Sequence, residues 1–154
     1  MNENNFKIFI TSKDDSSKRI SLSTIEELSK DRSNTKSKIT IEPKNKRQEI
    51  LGFGGSFTEA SSSIYKELDE DKKEEIIESY FGENGNKYSM ARTHINSCDF
   101  SLGNYAHVED KNDLELKTFS LERNKISLIP MINDALKKRK NNIRICLLYT
   151  SDAA

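Results

Sequence analysis

Cysteine is scarce in this chain: Cys98 and Cys146 are the only two, and they form no CxxC spacing. A disulfide scaffold or a zinc site is therefore not expected, and a reducing cytoplasm is the default compartment. Long apolar runs are missing too. No stretch reaches the length of a transmembrane helix. The N-terminus, MNENNFKIFITSKDD, lacks the basic region and sustained apolar segment of a signal peptide. The expectation is a cytoplasmic protein with no transmembrane segment. Charge of one sign is also missing, because 25 Lys plus Arg balance 25 Asp plus Glu. No global field draws the chain towards nucleic acid or an anionic membrane. Apolar residues make up only 34% of the 154 residues, against 32% charged. That length holds one modest domain or part of a larger one, and the polar composition favours the part.

What is present changes character along the chain. FKIFI (Phe6 to Ile10) reads as a short strand, and ITI (Ile39 to Ile41) as a second that ends before Pro43. Between them lies a polar segment with a weakly helical patch near Ile25 to Leu28. From Gln48 the pattern alters. QEILGFGG reads as a buried strand closing on glycines, with Ser56 and Glu59 at capping-box spacing. Ala60, Ile64 and Leu68 then mark one face of a helix. Asp69 is the expected cap of a second helix, with Ile76, Ile77, Tyr80 and Phe81 inward and Gly82 as its stop. YSMARTHIN is the next strand. After a long polar loop, Ile129, Ile132 and Leu136 predict another amphipathic helix, with Pro130 in its first turn and Lys137 to Lys140 at its negative end. IRICLL reads as a third buried strand. Alternating strands and helices imply a parallel α/β architecture.

The glycine-rich stretch fails each nucleotide or nucleophile motif. A dinucleotide loop needs GxGxxG, but Phe57 stands where the third glycine belongs. No GK[ST] follows, and Thr58 replaces the second glycine of GxSxG. A tight turn with close packing explains these glycines better than phosphate binding. RTHINSCDFS (Arg92 to Ser101) is more unusual: Arg92 lies in an apparently buried strand, and Asp99 falls just past its C-terminal end. Ligands bind at that end of parallel sheets. A buried arginine needs a carboxylate or a hydrogen-bonding ligand, so a structural pair with Asp99 or a glutamate stands beside a site role. His94 has no metal-ligand spacing and reads as structural, and Cys98 reads as a small apolar residue.

GFGGSFTEASS followed by SYFGENGNKYSMARTHINSCDFSLGNY resembles the beginning of glycoside hydrolase family 30, the glucosylceramidase-like group, and the resemblance runs over residues 39–145. It implies the first three strands of a (β/α)8 TIM barrel, preceded by strands of a side β-sandwich. It also implies a retaining β-glycosidase whose acid/base and nucleophile are glutamates. The expected partner is a β-glucoside or glucosylceramide-type substrate, with β-1,6-glucanase or β-xylosidase specificity as the alternative within the family. No cofactor and no metal is implied. The family's sugar-binding aspartate falls on Asp99, with Phe100 beside it, and its strand-two arginine on Arg92, expected to hold Asp99 ionised and oriented.

The chain departs from the family near its end. An A-S-P-W motif is expected after the third strand, but the sequence reads IRICLLYTSDAA and contains no tryptophan. The organisation expected is a β-sandwich segment over 1–47, an incomplete barrel over 48–145 and a non-native tail over 146–154. Both catalytic glutamates are expected beyond this chain, so no catalytic residue is assigned within it. Such a piece, with open sheet edges, is expected to be inactive and to fold poorly or aggregate. The reading of another class is a small non-catalytic α/β binding domain.

Overall fold

The computed structural model describes residues 7–17, 19–23 and 40–149. The helical patch near Ile25, the first residue of ITI and Thr150 to Ala154 lie outside them. The chain divides into two units, Met1–Gln48 and Glu49–Ala154. In the first, β1 (Ile8–Ile10) pairs antiparallel with β2 (Ser21–Ser23), placing Phe9 opposite Leu22. Thr40 and Ile41 are not in a strand.

The second unit is built on a three-stranded parallel sheet in the order β3 (Gly54–Phe57), β4 (Met90–Ile95), β5 (Arg144–Tyr149). Helices α1 (Glu59–Glu67) and α2 (Glu70–Phe81) connect the first two strands. The single turn α3 (Glu122–Lys125) and α4 (Leu128–Lys138) precede the last. The glycines begin the first strand of the sheet rather than close it, since residues 49–53 lie outside any strand. Their use is close approach: a Cβ on Gly54 would overlap the Met90 carbonyl, and one on Gly52 would overlap the Ser89 hydroxyl.

The core lies between this sheet and the helices. Phe57 at the end of β3 stacks on Phe81 of α2, with centroids 5.7 Å apart and planes 8° from parallel. Tyr88 meets the Phe81 ring edge-on at 6.1 Å. Leu128 and Ala135 of α4 are buried with them, and Met131 and Ile132 pack against the same cluster, an i, i+3, i+4, i+7 stripe. Complete burial of each of the larger side chains is worth about 1.5–3 kcal/mol.

Helix α2 follows its sequence closely. Asp69 accepts from Lys72 N at 2.8 Å as the cap, and Ile77 and Phe81 are buried. The Gly82 amide donates to Glu78 O at 2.9 Å where the helix stops. Tyr80 is the exception on that face, being exposed.

Helix α1 departs from expectation twice. Its cap is Thr58, whose hydroxyl accepts from Ser61 N at 3.2 Å while Ser61 Oγ accepts from Thr58 N at 3.3 Å. Ser56 belongs to β3 instead. The inward face is Glu59, Ser62 and Tyr65, and Ile64 is exposed. Polar groups can face inward because they find partners there: the Ser62 and Ser127 hydroxyls lie 2.9 Å apart, and Tyr65 OH donates to Asp134 Oδ2 at 3.0 Å. Burial and the Asp134 carboxylate both raise the Tyr65 phenol above its ordinary value, keeping it a donor.

β5 also differs from its reading as a buried strand. Leu147, Leu148 and Tyr149 are exposed, and among the described residues β5 is an edge strand with one neighbour. Cys146 to Tyr149 nevertheless keep register with Arg92 to Ile95.

Candidate active-site cavity at the strand ends

The C-terminal ends of the three strands open onto a cavity of about 240 Å³. Its walls include Ser56, Arg92, His94, Asp99, Phe100 and Leu148. Alternation along β4 turns Ala91 towards the core cluster and Arg92 to the opposite face, beside its register mate Ser56. Arg92 is exposed there, not buried as the sequence suggested. Its Nε donates to Ser56 Oγ at 2.6 Å. Among the described residues Arg92 makes no ion pair with Asp99.

Asp99 and Phe100 are the central residues of a turn that follows β4. Ser101 N donates to Cys98 O at 2.9 Å, and Cys98 N donates to Ser101 Oγ at 3.0 Å, closing the turn from both sides. Asn96, in the left-handed region at φ 62°, bends the chain out of the strand and accepts from His107 N at 2.9 Å through Oδ1. The turn is thus a rigid bracket with its two middle side chains at the tip. Asp99 is exposed and makes no hydrogen bond or ion pair among the described residues, so its acceptor oxygens are open. Phe100, 61% exposed, presents an uncovered aromatic surface beside it.

His94 forms the floor on the β4 side. It is 7% exposed, and its Nε2 lies 3.2 Å from the Tyr105 hydroxyl. Burial lowers its pKa and neighbouring His107 adds to that, while the Glu59 charge opposes them without winning. The imidazole is therefore neutral near pH 7. Behind it, Arg123 lies over the Tyr105 ring at 4.3 Å and donates from Nε to Glu59 Oε1 at 2.7 Å. Among the described residues no group of three or more His, Cys, Asp or Glu could hold a metal ion, and no helix is long and apolar enough to cross a membrane.

A parallel strand–helix sheet with polar and aromatic side chains at its strand ends is a layout that barrels share with open α/β sheets. Residues 50–152 match the TIM-barrel domain of glycosyl hydrolase family 30. The chain belongs to that family. A Caenorhabditis elegans protein named as a glucosylceramidase is 39% identical over 129 residues, covering 83% of this chain and 24% of the relative. The lysosomal acid glucosylceramidase of Mus musculus is 35% identical over 108 residues, covering 70% of this chain and 21% of its own length. The crystal structure of SrfJ from Salmonella typhimurium superposes with a TM-score of 0.64 at 38% identity, over 68% of this chain and 23% of that one. The chain therefore spans about a quarter or less of the relatives it matches.

Within this family 30 domain, the three residues singled out from sequence, Arg92, Asp99 and Phe100, line one cavity, although Arg92 and Asp99 are not partners. The sequence signals neither Tyr105 nor Arg123, and marks Glu59 only for helix capping with Ser56. The arginine that Glu59 binds lies 64 positions away. Charge alone cannot pick one arginine for one glutamate at that separation.

Proposed function

We propose that this chain is the opening part of the catalytic barrel of a β-glycosidase acting on β-glucosides of the glucosylceramide type. In this reading its cavity forms the side of the sugar site that holds the ring next to the scissile bond. The observation that supports it is the open Asp99 carboxylate beside the uncovered Phe100 ring at the ends of parallel strands. A carboxylate without protein partners accepts hydrogen bonds from sugar hydroxyls, and an aromatic surface covers the C–H face of a pyranose. Arg92, tethered to Ser56, supplies donors at the same wall.

Hydrolysis would be retaining, through an acid/base and a nucleophile about 5–5.5 Å apart. Both would be glutamates contributed by later strands, so this chain alone would bind weakly and not turn over. Ligand-observed NMR with methyl β-D-glucoside tests the binding half, with Asp99→Asn as control. The expected result is weak binding by the wild type, lost in the variant. Hydrolysis of a fluorogenic β-glucoside by the purified chain would refute the assignment of the glutamates elsewhere. Reading the source DNA across codons 140 to 154 and onward tests whether barrel sequence continues.

A further inference from the structure

Among the described residues the turn that carries Asp99 has no tether through Asp99 itself, yet its backbone is pinned at three points. Ser97 N donates to Tyr105 O at 3.0 Å, Ala60 N donates to Phe100 O at 3.0 Å, and Leu102 N donates to Glu59 Oε2 at 2.8 Å. Two of the three pins come from the first turn of α1. Glu59 is 8% exposed, and its two oxygens are shared between Leu102 N and the Arg123 fork, whose Nη2 reaches Oε2 at 3.3 Å. Arg123 is itself seated on Tyr105, the residue whose carbonyl holds Ser97.

We propose that Glu59 and Arg123 are positioning residues for sugar binding. The Glu59 carboxylate, fixed by the Arg123 guanidinium, clamps the backbone on the C-terminal side of Asp99 and Phe100, and so sets where the acceptor oxygens and the ring stand. This rests on the sugar-binding reading of Asp99. It replaces Arg92, which points to Ser56, as the source of Asp99's placement. The clamp needs an ionised acceptor. Burial pushes the Glu59 carboxyl up, but the hydrogen bonds from Arg123 and Leu102 N, with the Arg123 charge, outweigh it and hold the group below its ordinary value.

The test uses the whole chain at low concentration, with hydrogen-exchange mass spectrometry and glucoside binding as separate readouts. Glu59→Gln is expected to free the segment 97–103 while α2 and α4 stay protected, and to weaken methyl β-D-glucoside binding on the order of tenfold. Asp99→Asn should abolish binding and leave protection of 97–103 unchanged. In the wild type, protection of that segment, corrected for intrinsic exchange, should fall as pH drops below 4.5, the ordinary value of the carboxyl. In Glu59→Gln that step should vanish, which a merely space-filling side chain would not cause. Unchanged protection in Glu59→Gln overturns the clamp. If Glu59→Gln loosens the whole unit, Arg123→Lys, which keeps the charge and loses the fork, must free 97–103 selectively, or the clamp is again overturned. A wild-type chain that binds no glucoside refutes the sugar reading and the purpose given to the clamp. That result is distinct from unchanged protection, which refutes the clamp itself.

Discussion

The two faces of the family 30 sheet are held by different forces. On the helix side, Phe57, Ile77, Phe81 and Leu128 exclude water from one another, and the Phe57–Phe81 stack has no polar atom to satisfy. On the cavity side, the segment after β4 is held by directed bonds: Asn96 to His107, Ser97 to Tyr105, Leu102 to Glu59 and Glu59 to Arg123. The first kind of cohesion is proportional to area and indifferent to protons. The second depends on geometry and on the ionisation of Glu59. A binding turn built the second way holds a fixed shape without being buried, and so its tip can stay open to a ligand.

Substitutions and pH should separate the two faces. Phe81→Ala, on the helix side, should cost about 3–5 kcal/mol of unfolding free energy in urea melts, with a cavity left between Phe57 and Tyr88. Gly54→Ala should be next, about 1–3 kcal/mol, because the added methyl drives β3 away from the Met90 carbonyl. Tyr65→Phe removes one hydroxyl from Asp134 and should cost about 1 kcal/mol. On the cavity side, acidification should act through His94 and Glu59. The lowered pKa of His94 means that the unfolded chain takes up its proton first, so stability is complete above pH 6.5 and falls as pH drops below it. Glu59, also lowered, adds a second loss as pH falls below 4.5 towards its folded value. The exchange of segment 97–103 should follow the Glu59 step. Asp99→Asn should be smallest, within about 0.5 kcal/mol, because an exposed side chain without partners among the described residues leaves nothing unpaired.

The elements legible in the sequence were those whose signals are local. The Asp69 cap, the Gly82 stop, Pro130 in the first turn of α4 and the β4 strand all depend on neighbours within a few positions. The SCDFS turn was legible as a motif, and its middle residues do stand at the cavity. The inward face of helix α1 is not legible, because periodicity counts apolar residues, whereas that face is made of Glu59, Ser62 and Tyr65, each satisfied by a residue far along the chain. The exposure of Arg92 is hidden for a related reason: a strand with apolar neighbours reads as buried on both faces, and only the fold shows which face is open. The glycines pointed to close approach, but not to the Met90 backbone as what they approach.

The Glu59 bridge closes spans of 43 and 64 residues, to Leu102 and to Arg123, whereas the caps of α1 and α2 close within three. Closing long spans costs chain entropy before any contact rewards it. The helices can therefore set early and independently, while the Asp99 turn sets late, once residues on both sides of β4 have met. On the ribosome, the turn would leave the exit tunnel well before the arginine that braces it, and would wait in a loose form until Arg123 emerged.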